Sequence, residues 1–129
     1  MVSIAHERVY TESFNLVVGR ELALRKRSDL IALLKAVDKA EAFILDKPAE
    51  AKAILGKVLN LDDKFVDWMW PQLAFKLSLQ QGLIKTLESQ ARWAIREGHV
   101  QARDVPDYLL LVDPRPLGQA DPQAVGIVP

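Results

Sequence analysis

The chain has 129 residues, half of them apolar, a length that suits one domain or part of a larger one. Seventeen Lys and Arg balance seventeen Asp and Glu, so the broad positive footprint of a nucleic-acid or polybasic membrane-surface protein is missing. There is no Cys, which rules out disulfide scaffolds, thiolate metal sites and Cys nucleophiles. No apolar run approaches the roughly 20 residues of a membrane span. The start, Met1-Val-Ser-Ile-Ala-His-Glu-Arg8, lacks the regions of a signal peptide.

Taken in chain order, Tyr10–Gly19 is rich in β-formers, and Phe14-Asn-Leu-Val-Val18 predicts a buried strand ended by Gly19. Its one candidate partner is Ala124-Val-Gly-Ile-Val128 at the far end, and two short strands make a marginal sheet. Glu21–Lys26 predicts a short helical turn. Ser28 is then expected as the N-cap of a long amphipathic helix carrying Leu30, Leu33, Leu34, Val37, Ala40 and Ile44, stopped near Lys47-Pro48.

Pro48 suits the first position of the next helix, with Ala51, Ile54, Leu55, Val58 and Leu59 on one face. Asp62 or Asp63 caps a short helix through Phe65 and Trp68, broken by Pro71. Ser78 is expected to cap a second long helix with the stripe Leu79, Leu83, Ile84, Leu87, Ala91, Ala94 and Ile95, ended by Gly98. Gly82 inside that helix suggests close approach of another backbone, and Trp93 beside the stripe reads as core. Pro106 opens one or two turns over Asp107-Tyr108-Leu109-Leu110, ended by Asp113-Pro114, and residues 114–129, with four of the seven prolines, read as an extended wrap.

The fold class predicted is mainly α, with five to six helices and one or two short strands. A single domain, 1–129, divides into a strand segment at 1–19, a helical layer at 20–113 and an extended tail at 114–129. An amphipathic layer of this kind leaves a large apolar face to be covered, by a second copy or by another domain.

Little in the sequence supports catalysis, and the chain is read as a non-enzyme with no catalytic residue and no cofactor. His6 and His99 lie 93 residues apart, with no i, i+4 ligand partner, so no metal site is assigned. No Gly-rich loop suits phosphate, and no Ser sits in a G-x-S-x-G frame. The triplet Arg25-Lys26-Arg27 is flanked by Glu21 and Asp29 and reads as a solvated turn. The cluster Phe65, Trp68, Trp70 and Phe75 has two readings: core packing of a short helix, or a pocket wall in which an indole N–H offers a donor beside apolar surface.

In succession, several segments carry a resemblance: Ser13-Phe-Asn-Leu-Val-Val-Gly19, Arg25–Ala36, Ala40–Ile54, Phe75-Lys-Leu-Ser-Leu-Gln-Gln-Gly-Leu83, Leu87–Ile95, Val105-Pro-Asp-Tyr-Leu109 and Pro122-Gln-Ala-Val-Gly-Ile-Val128. Their order resembles the carboxy-terminal portion of the substrate-binding proteins of ABC importers in the NMT1/THI5-like family, which take nitrate, sulfonates, taurine or pyrimidine precursors. The resemblance covers essentially the whole chain. It implies a type II periplasmic binding-protein fold, α/β in the full-length parent, whose two lobes close over a small ligand. Its implied partners are that ligand and a membrane permease, and its implied location is the periplasm or the outer face of a membrane. By position in that family, Tyr10, Thr11, Glu12 and Ser13 would lie near the hinge and cleft mouth, and Trp68 and Trp70 would reach the cleft wall. The alternative reading is a stand-alone helical domain that binds no small molecule and buries its apolar face on a second copy of itself.

Overall fold

The computed structural model describes residues 13–128, and the chain is mainly helical. Among the described residues six α-helices follow one another: α1 (Arg20–Arg25), α2 (Arg27–Asp46), α3 (Pro48–Leu59), α4 (Asp63–Met69), α5 (Gln81–Arg96) and α6 (Arg115–Ala120). Short 3-10 turns cover Trp70–Gln72, Tyr108–Leu110 and Pro122–Ala124. Two strands of two residues each, β1 (Leu79–Gln80) and β2 (Val125–Gly126), form a parallel pair, with Leu79 opposite Val125 and Gln80 opposite Gly126.

Local chemistry sets most of the boundaries. Lys47 precedes a proline, which disfavours helical backbone there, so α2 stops and Pro48 begins α3 at its first position. Asn60 takes a left-handed conformation, φ 52°, and turns the chain so that the Leu61 N–H bonds back to the Gly56 carbonyl at 2.9 Å. The Asp62 carboxylate then caps α4, accepting the Lys64 N–H at 2.9 Å. Gly98, at φ 74°, closes α5 in a Schellman arrangement: its N–H bonds to the Ile95 carbonyl and that of His99 to the Ala94 carbonyl.

Four expectations are corrected. Residues 14–18 form no strand: they run outside any ladder, with Phe14 89% and Val17 85% exposed, and β2 pairs instead with β1. High β-propensity is a statement about packing, and this segment has no neighbour to pack on. The tail is only partly extended, because Asp113 accepts the Arg115 N–H at 3.1 Å and starts α6, where Pro116 costs nothing in the first turn. Neither Ser28 nor Ser78 is an N-cap: α2 starts one residue before Ser28, and α5 starts at Gln81, after β1 has taken Leu79 and Gln80. Gly82 has open space where a Cβ would stand, so no backbone among the described residues approaches it.

The core is thin. Helices α2 and α6 pack together, and each contributes a buried leucine, Leu30 and Leu117. Helix α4 packs on α3, burying Val66 beside Gly56, where a Cβ would lie 3.7 Å from a Val66 methyl; Ala51 on α3 is buried as well. Ile84 and Ala124 are buried beside the strand pair. Three side chains bind this end together. Gln80 donates its amide to the Ala124 carbonyl at 3.2 Å, Gln81 accepts the Val128 N–H at 3.1 Å, and Glu41 on α2 accepts the Leu77 N–H.

Much apolar surface stays in the open. Leu33, Val37 and Leu45 on α2, Ile54, Val58 and Leu59 on α3, and Leu110 and Leu111 after α5 are all exposed. The accessible area is 10776 Å², against ~6,900 Å² expected for a compact monomer of this mass. Assigning the thirteen residues outside 13–128 the full area of an unfolded chain accounts for only ~2,100 Å². No helix among the described residues is long and apolar enough to cross a membrane.

Candidate functional site

An open groove of about 500 Å³ lies between α3 and α4, lined by Pro48, Ala49, Lys52, Ala53, Asp63, Val66 and Asp67. Its position follows from the sequence. The Asn60 turn and the Asp62 cap fold α4 back against α3, and small residues at 49 and 53 leave room between them. Lys52 is the one cation of the lining. Its ammonium stands 2.7 Å from an Asp67 oxygen and 5.6 Å from the centre of the Trp70 ring. Asp63 adds a second carboxylate, so the groove carries one positive and two negative groups. It can seat a group with a cationic end near Asp63, while Lys52 is already committed to Asp67.

The aromatic cluster divides in two. Trp70 is half-buried and lies against Phe75, with ring centroids 4.8 Å apart, so its face is used in packing and by Lys52. Trp68 is 49% exposed and tilts against Phe65 at 5.7 Å on the outer side of α4. Neither tryptophan lines the groove, although Trp70 borders it through Lys52. Of the other candidate ligand contacts, Tyr10 and Glu12, with Thr11, lie outside the described residues. Ser13 is exposed and makes no side-chain hydrogen bond among the described residues.

Trp93 is not core. It is 51% exposed and stacks on His99 at 4.8 Å, just past the Gly98 turn. His6 lies outside the described residues. Among the described residues no three of His, Asp and Glu converge as a metal set.

The basic triplet disperses onto separate acids. Arg25 pairs with Glu21 at 3.1 Å and Lys26 with Asp29 at 3.6 Å, as expected of a solvated turn. Arg27 instead turns inward toward Asp113, its Nη2 3.9 Å from the carboxylate. Asp113 receives both Nε and Nη2 of Arg115, at 2.7 and 2.8 Å. That forked hydrogen bond, with the Arg115 N–H and both guanidinium charges, holds the Asp113 carboxyl below its ordinary value against some desolvation. Nε and Nη2 of Arg27 are buried without a hydrogen-bond partner. This cluster ties α2 to α6, a contact that sequence reading missed because Arg27 and Asp113 are far apart in the chain.

Lys52–Asp67 and Glu41–Leu77 were equally invisible. Each polar residue reads as the solvated face of a helix until the tertiary fold supplies its partner. Comparison with protein-family models, with curated proteins and with solved structures finds no match to this chain.

Proposed function

We propose that the chain serves as part of the substrate-binding component of an ABC importer, without enzymatic activity of its own. Its ligand class is a small anion or a nitrogen or sulfur compound: nitrate, a sulfonate, taurine or a pyrimidine precursor. It works on the outer side of a membrane, in the periplasm or anchored there, and hands its ligand to a permease. Recognition follows lobe closure, in which ligand bridges two bodies and shifts an open–closed equilibrium.

The observation that supports this reading is the parallel pairing of β1 with β2. Parallel strands need a crossover between them and belong to α/β bodies whose sheet is covered on both faces. A two-residue, two-stranded parallel pair is marginal alone, and suits the margin of a larger sheet. The ordered resemblance across the chain points to the same kind of parent.

A second reading, a helical self-association module that binds no small molecule, is favoured by the exposed leucines, isoleucine and valines of α2 and α3. A thermal-shift panel of taurine, alkanesulfonates, nitrate, bicarbonate and aminopyrimidines separates the two. Ligand at 100 times its dissociation constant stabilises the folded state by ~2.7 kcal/mol. A shift confined to one chemical class is the expected result. A folded chain whose melting no compound moves overturns the solute-binding reading.

A further inference from the structure

One carboxylate at the α2–α6 junction faces two guanidinium groups and serves only one of them. Arg115 grips Asp113 through Nε and Nη2, at 2.7 and 2.8 Å, so that each carboxylate oxygen takes one N–H. Arg27, the first residue of α2, brings its own Nη2 to 3.9 Å from Asp113 Oδ2, about 1 Å longer than a charge-assisted hydrogen bond. Its Nε and Nη2, the same two nitrogens that Arg115 uses, are buried with no hydrogen-bond partner among the described residues. Exposure runs opposite to pairing: the Arg115 side chain is 67% exposed and the Arg27 side chain 34%. Solvent can satisfy the Arg115 fork when a carboxylate leaves it, whereas buried donors left unmet are costly. No other carboxylate among the described residues pairs with either arginine, so the cluster carries one positive charge in excess.

We propose that Arg115 is a seat for a free oxyanion and Asp113 a carboxylate with two positions: an anion that takes the Arg115 fork releases Asp113 to Arg27, which clamps the start of α2 to α6. The geometry sets the chemistry of the ligand. Whatever displaces Asp113 must offer two oxygens to Nε and Nη2 at carboxylate spacing, as a carboxylate, sulfonate or phosphate group does and chloride does not. The entering charge also balances the excess of the two guanidinium groups. The shift asked of Asp113 is short, and its Oδ1 can keep the Arg115 backbone N–H it accepts at 3.1 Å, so the start of α6 stays capped. The helices clamped together are the pair that buries Leu30 and Leu117, so occupation of an exposed arginine is passed to a packed contact. The switch needs no lobe closure and stands apart from the solute-binding reading.

Nitrogen-15 NMR of the arginine Nε–H groups tests it, with the full chain titrated with inorganic phosphate and with chloride at equal ionic strength as the control. The Nε–H signals of Arg115 and Arg27 should shift together with one midpoint in phosphate, and chloride should move neither. Arg115→Gln should place the Arg27 signal at its phosphate-bound position with no anion added, and should weaken phosphate binding at least about tenfold. The titration of the unaltered chain decides the matter if the variant fails to fold. An Arg27 signal that phosphate leaves unmoved, or one that stays at its original position in folded Arg115→Gln, overturns the proposal.

Discussion

Val66 is the tightest point of the core, 2% exposed between α4 and α3, and replacing it with Ala gauges how much that contact contributes. The substitution deletes two methyl groups, worth ~1.6 kcal/mol of transfer free energy. A cavity the size of those groups adds up to ~1 kcal/mol where the walls stay put. The α3–α4 layer is open on its groove side and can close partly over the gap, so a total of about 2 kcal/mol is expected. That is a large share of a stability of roughly 5–15 kcal/mol. It corresponds to a fall in Tm of about 8 °C for a domain of this size. Urea unfolding followed by circular dichroism at 222 nm measures the change, with Val58→Ala on the exposed face of α3 as the control, expected within ~0.5 kcal/mol of the unaltered chain. Equal effects at 66 and 58 would refute the assignment of α3–α4 as a packed contact.

Gly82→Ala meets open space inside the first turn of α5, so it should stabilise the chain by about 0.5 kcal/mol, seen as a higher urea midpoint; destabilisation would mean that something packs on that turn after all. Asp113 titrates below its ordinary value because Arg115 grips its charged form, so its contribution to stability is complete above the unfolded-state value and is lost as pH falls through the lower folded value. Unfolding midpoints taken from neutral pH into the acid range should therefore drop more steeply for the unaltered chain than for Asp113→Asn. Trp70→Ala should cost about 2 kcal/mol, since it removes the Phe75 pairing and the seat of Lys52, while Trp68→Ala should cost under ~1 kcal/mol. Reversed costs for the two tryptophans in urea unfolding would exchange their roles in packing and exposure.

Helices were legible in this sequence where local chemistry decides them. Lys47-Pro48, Asp62 and Gly98 mark boundaries through backbone sterics and capping, and the structure ends or starts a helix at each. Ser28 and Ser78 are good caps by type, but the chain begins α2 earlier and gives Leu79 and Gln80 to β1, choices made by tertiary contacts. The strand expected at Phe14–Val18 failed for the same reason. A β-prone run needs a partner, and the one the sequence offers near Val125 pairs with Leu79 instead, a residue separated from it by all of α5 and α6. Nearness to an apolar stripe makes Trp93 read as core, yet α5 turns it outward onto His99. Beside the candidate site, Trp70, which borders the groove through Lys52, could be picked out by type alone. Lys52, Asp67, Glu41 and the Arg27–Asp113–Arg115 cluster could not, because long-range polar pairs leave no periodic trace.

Solute recognition is the central claim, and calorimetric titration of the folded chain with taurine, nitrate, an alkanesulfonate and an aminopyrimidine tests it most directly. Saturable heat at one site per chain, from one of these chemical classes and not the others, is the result predicted. A folded chain that gives no saturable heat with any of them would contradict it, and would leave the exposed helical surface as the chain's working feature.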